Sequence, residues 1–130
     1  MIAFTHTDAW ILYAIPTRIK DCPLSEIMAR ADYVNHAIPT KDEMEKAITK
    51  GLRCGLLERS LSGVKYALSH REAVENATGK SRYALKAWDA LYQFLSKDKW
   101  EQINEERFSL TLEDVDGAYQ EYLRKLGRSK

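Results

Sequence analysis

Residues 36–39 are a connection of only four positions between two segments that each carry a helical apolar stripe, and so short a link forces the two helices to cross. The segment before it starts near Pro23, a residue suited to a first helical turn, and spaces Leu24, Ile27, Met28, Ala31 and Val34 by three and four. The segment after it opens on Thr40 with Glu43 three residues on, a capping box, and Pro39 can staple against Met44 at the helix entrance. Met44, Ile48, Gly51 and Leu52 make its apolar stripe, and Gly55 is the left-handed residue that ends it. This is a helix-turn-helix layout.

The flanks extend it. Thr7 or Asp8 is expected to cap a first helix through Trp10, Ile11, Tyr13, Ala14 and Ile15, crowded enough in apolar residues to be buried on most sides before Pro16 stops it. After Gly55 the period changes. Residues 56–61 and 64–68 flank Ser62-Gly63, suited to a tight turn, and Val64, Tyr66 and Leu68 alternate with Lys65 and Ala67 as a half-buried strand should. Ser69 with Glu72 predicts another capping box and a short helix toward Gly79. Two longer amphipathic helices come next. One carries Ala84, Trp88, Leu91, Tyr92 and Leu95, and the other, capped by Thr111 with Asp114, carries Leu112, Val115, Tyr119, Tyr122 and Leu126. The expected fold is mainly α with a small β-hairpin, organised as a domain over residues 1–79 and a helical extension over 80–130.

The run from Leu24 through Ala31-Asp32, across Ile38-Pro39-Thr40 and Glu43-Met44, to Gly55-Leu56-Leu57 and Lys65-Tyr66-Ala67-Leu68-Ser69 resembles the winged helix-turn-helix domain of bacterial transcription regulators of the MarR and PadR kinds. In those families a helix ending in a Gly-Leu pair leads into the wing, and the return strand ends in Tyr-x-Leu-Thr; Ser69 stands here in the place of that Thr. The likeness spans roughly residues 8–70. It implies a regulator that binds double-stranded DNA, with the third helix in a major groove and the hairpin on the backbone. The residues able to make those contacts are Lys41, Lys46, Thr49, Lys50 and Arg53 on the third helix, and Arg59 and Lys65 on the wing.

Charge argues in the other direction. Asp42, Glu43 and Glu45 occupy the first turns of the third helix, and a carboxylate held near phosphate costs affinity. Residues 1–79 hold ten Lys or Arg and ten Asp or Glu, so the half resembling a DNA-binding domain is neutral. The alternative expectation is a protein-interaction module on the same scaffold, with the charges forming a solvated face paired locally, as in Glu43 with Lys46 and Lys50.

No catalytic, metal or cofactor site is expected. His6, His36 and His70 are scattered, and there is no G-x-S-x-G, phosphate-cradling glycine loop or G-x-G-x-x-G. Cys22 and Cys54 form no C-x-x-C pair and read as reduced thiols, Cys54 as a small core residue. No stretch approaches the roughly 20 apolar residues of a membrane span. His6 and Asp8 stand where a signal peptide needs a positive and then an apolar segment, so a cytoplasmic location without a membrane partner is expected. Leu112, Val115, Tyr119, Tyr122 and Leu126 advance by three and four as a short heptad-like seam, which predicts a homodimer through the C-terminal helices.

Overall fold

A computed structural model describes residues 1–128. Thr5, rather than Thr7 or Asp8, caps the first helix, α1 (His6–Tyr13). Its side chain accepts the Asp8 N–H at 3.0 Å while the Asp8 carboxylate accepts the Thr5 N–H at 2.9 Å, so Asp8 is the third residue of a capping box and not the cap. As its composition requires, α1 is buried nearly all round. Trp10 donates its indole N–H to the Ala31 carbonyl at 2.9 Å, which fixes α1 against the next helix.

A two-residue strand, β1 (Cys22–Pro23), leads into α2 (Leu24–Asn35), which ends on His36 in the left-handed conformation. The crossing helix, α3 (Lys41–Arg53), starts on the expected box: Glu43 N–H to Thr40 Oγ1 at 3.1 Å and Thr40 N–H to Glu43 Oε1 at 2.8 Å. Glu43 is spent there and does not form the expected pairs with Lys46 or Lys50. Met44, Ala47, Ile48, Gly51 and Leu52 are buried. Gly55, at φ +80°, turns the chain into β2 (Leu57–Arg59), which pairs with β3 (Gly63–Tyr66) with Leu57 opposite Tyr66 and Arg59 opposite Val64.

The sheet is antiparallel in the order β1-β3-β2. The tight turn sits at Leu61-Ser62, one residue earlier than Ser62-Gly63, because Gly63 is needed in the sheet: a Cβ there would lie 1.9 Å from the Cys22 carbonyl oxygen. Asp21 locks this edge, accepting the Ser62 N–H at 2.9 Å and both the Ser60 and Ser62 hydroxyls. Those hydroxyl bonds, Ser60 first, hold its carboxyl below the usual carboxylate range.

Leu68 to Thr78 forms α4, capped by Ala67 with no side-chain bond, so the Ser69–Glu72 box does not form. The reason lies in the sheet. Ala67 N–H still bonds Leu56 O at 2.9 Å, and the helix begins at the first residue past that rung, ahead of Ser69. Next, α5 (Ala84–Lys97) buries Ala87, Leu91 and Leu95, the two leucines in the same cluster as α1, α3 and the sheet. Trp100 joins that cluster, and its carbonyl accepts the Ile2 N–H at 2.7 Å. The boundary expected at residue 80 therefore falls inside one core. Past Trp100 the chain runs over that core as a strap of residues 101–111 and then as α6 (Leu112–Arg128), which lies on α2 behind its Thr111–Asp114 capping box, with Phe108, Leu110, Val115 and Ala118 partly buried against the core. No helix among the described residues is long and apolar enough to cross a membrane.

Candidate functional site

The candidate site is the outward face of α3, and the strap lies on it. Glu45, Thr49 and Arg53 are spaced by four along the helix, a rise of about 6 Å per step. An extended chain covers about 6.6 Å in two residues. The strap uses this match, running antiparallel to α3 with alternate residues bonded to successive turns. Leu110 N–H meets Glu45 Oε2 at 2.6 Å, Phe108 N–H meets Thr49 Oγ1 at 3.0 Å, and Arg53 Nε donates to the Glu106 carbonyl at 2.9 Å. Thr49 Oγ1 also donates to Phe108 O at 3.3 Å.

The strap continues past the helix end. Ile103 and Asn104 N–H groups bond the Arg53 carbonyl at 2.8 and 3.3 Å, an acceptor the last turn leaves open, and Asn104 Nδ2 bonds the Leu52 carbonyl at 3.1 Å beside the Gly55 N–H. Arg59 of the wing reaches over. It donates Nε to the Glu106 carboxylate at 2.9 Å and a second N–H to the Arg107 carbonyl, with its guanidinium 5.7 Å from the Phe108 ring.

All seven residues nominated for DNA are thus engaged within the chain. Thr49, Arg53 and Arg59 hold the strap. Lys41 pairs with Glu45 at 3.1 Å, Lys46 with Asp42 at 3.1 Å, and Lys65 with Glu58 directly across the hairpin at 3.8 Å. Lys50 turns inward to the buried Asp8 at 2.5 Å and ties α3 to α1. What remains open is a cleft of about 460 Å³ between α3 and the strap, lined by Lys46, Lys50, Arg53 and Arg107 together with Asp42 and Glu45. The strap residues Asn104, Glu106, Phe108 and Leu110 were not legible as partners of α3. The one signal for them was the polar row Glu45, Thr49, Arg53 on a single face.

The Leu110 amide, and secondly Lys41, hold the Glu45 carboxyl below its ordinary range. A carboxylate depressed in the folded state contributes above its unfolded pKa and loses that contribution as pH falls through the folded value. Acidification is therefore expected to loosen the strap at this point: the Leu110 amide resonance should move with the Glu45 titration, across an interval that lies below the ordinary glutamate range. A Leu110 amide shift that stays constant across that interval, or that still moves in Glu45→Gln, refutes the bond.

The remaining candidates do not converge. Burial raises the Cys22 thiol to about 12 and raises Cys54 as well, which keeps both free cysteines protonated and unreactive. His6 stacks on Trp88 with centroids 4.7 Å apart, far in sequence from the His36 cap, and no group of three or more His, Cys, Asp or Glu among the described residues is placed to hold a metal ion. The expected C-terminal seam divides. Val115 and Tyr122 turn onto α2, where the Tyr122 hydroxyl bonds Asp32 Oδ2 at 2.5 Å, a bond that lifts the phenol to about 12; Leu112, Tyr119 and Leu126 stay exposed. The chain matches no protein-family model, no curated protein and no solved structure.

Proposed function

We propose that this chain is a winged helix-turn-helix scaffold that acts by binding protein, not by binding bare DNA. The scaffold half of the reading is supported by the element order α1-β1-α2-α3-β2-β3 and the sheet order β1-β3-β2, which place a crossing helix beside a hairpin. The observation that carries the other half is the strap. A helix that reads a major groove presents its outward face to base edges, and here the Glu45, Thr49 and Arg53 row of that face is bonded to the strap. Electrostatics agree, since residues 1–79 are neutral and five of the six nominated cations, all but Arg53, are paired with carboxylates.

One observation favours DNA. The Glu106 carboxylate sits on Arg59 as a phosphate would, so a regulator whose strap is displaced by the duplex is the second reading. A fluorescent duplex pool at low salt separates the two. The first reading expects no anisotropy change up to roughly 100 μM chain, and salt-sensitive binding at micromolar chain overturns it. The second expects Glu106→Ala to create or strengthen binding and Arg53→Ala to weaken it with a flatter salt dependence. A Glu106→Ala chain that ignores DNA removes the second reading.

A further inference from the structure

We propose that the strap stands in for a partner: the groove it fills takes an extended segment of another protein that carries an acidic, an aromatic and an aliphatic residue at alternate positions. The inference rests on the reading that the α3 face binds protein, and it names that partner's chemistry.

The groove already holds a segment of this kind. The Leu110 N–H, the Phe108 N–H and carbonyl, and the Glu106 carbonyl are bonded to Glu45, Thr49 and Arg53, and the Arg107 carbonyl is bonded to Arg59. These are main-chain groups, which any extended chain free of proline at the donor positions presents, so they hold a segment without reading its sequence. Alternate side chains do the reading. Glu106 Oε2 lies 2.9 Å from Arg59 Nε, and Phe108 and Leu110 are half-buried against the core, while Glu105, Arg107 and Ser109 are exposed. A period of two is that of an extended ligand read on one face. Residue 106 meets two arginines, Arg53 at its carbonyl and Arg59 at its carboxylate. Arg53 has no carboxylate partner among the described residues, so this end of the groove favours an acidic side chain.

The fit is what makes the strap replaceable. Phe108 borders two openings, the cleft of about 460 Å³ beside α3 and a second of about 280 Å³ toward Leu24, Ile27 and Val64. Protein interiors are close-packed, and the lining of a void forfeits the contacts a neighbour would make. A segment with a bulkier aromatic group at this position therefore gains contacts that the strap leaves unmade.

The probe is a fluorescent peptide with the sequence of residues 102–111, added to the full chain. In the unaltered chain the tethered strap competes at an effective concentration of about a millimolar. Phe108→Ser with Leu110→Ser unlatches the strap, and this chain is expected to bind the peptide about tenfold or more tightly than the unaltered chain, with an unchanged circular dichroism spectrum. Glu106→Ala, a surface change that leaves the apolar pair in place, is expected to tighten binding about threefold. In the unlatched chain, Arg59→Glu is expected to weaken the peptide about tenfold and a peptide carrying Glu106→Arg to restore it. A peptide carrying Phe108→Trp is expected to bind about threefold tighter than the original. Neither altered strap binding the peptide better than the unaltered chain, an Arg59→Glu loss that the exchanged peptide does not restore, or a Phe108→Trp peptide that binds more weakly each overturn the inference while leaving α3 as a protein-binding face. Salt-sensitive binding of the duplex pool by the unlatched chain overturns that underlying reading instead.

Discussion

Leu91→Ala is expected to lower the stability of the entire molecule by about 2–5 kcal/mol, and the melting temperature by roughly 10 °C, in one cooperative transition. Leu91 is fully buried in the cluster that also holds Trp10, Ile48 and Tyr66. Truncation there empties a volume lined by α1, α4 and α5, and a close-packed interior does not collapse to fill it. If residues 80–100 were an appendage, the same substitution would melt only α5 and leave the first 79 residues folded. Thermal scans monitored by tryptophan fluorescence and by far-ultraviolet circular dichroism decide between these outcomes: coincident curves are expected, and separated curves refute a single core.

Lys50→Met is expected to cost about 3 kcal/mol, the second large effect. The Lys50 ammonium is the cation that meets the buried Asp8 carboxylate, and Asp8 in turn holds the Thr5 N–H in the α1 capping box. Removing one member of such a pair leaves a desolvated charge without its counterion, which costs more than the pair itself contributes. Asp8→Asn in the Lys50→Met background keeps an acceptor for Thr5 while removing the stranded charge, and is expected to recover part of the loss. Denaturant titrations of the four proteins in the cycle give the coupling. Additive losses would show that Lys50 and Asp8 act separately. A lysine that reads from the sequence as a phosphate ligand is expected instead to behave as an internal brace.

What was legible in the sequence was local. The Thr40–Glu43 box, Gly55 and the Met44–Ile48–Leu52 stripe are each fixed by residues within one or two turns of one another, and the Thr111–Asp114 box is of the same kind. Two local signals misled. Ser69–Glu72 has the capping pattern but loses to the Ala67–Leu56 rung, and Ser62-Gly63 has the turn pattern but Gly63 is drawn into the sheet by the close approach of Cys22. Tertiary demand outranks propensity at both places. The candidate site was hidden for a different reason. Its partners are mostly main-chain groups of residues 103–110, which carry no periodicity, and the Asp8–Lys50 link joins residues 42 apart. No spacing rule reaches either.

The strap also sets an order of events for the newborn chain. Its contacts join residues 45–53 to residues 103–110, and within residues 103–110 Phe108 and Leu110 are the ones packed against the core, so loop closure is met by little apolar burial. At 5–20 residues per second, synthesis leaves α3 naked for roughly 3–11 s before residue 110 is made. Once closed, a seam that buries little apolar surface is expected to open more readily than the helices beneath it. The molecule therefore has an interval early in life, and brief recurrences later, in which a competitor for Glu45, Thr49 and Arg53 meets an open helix.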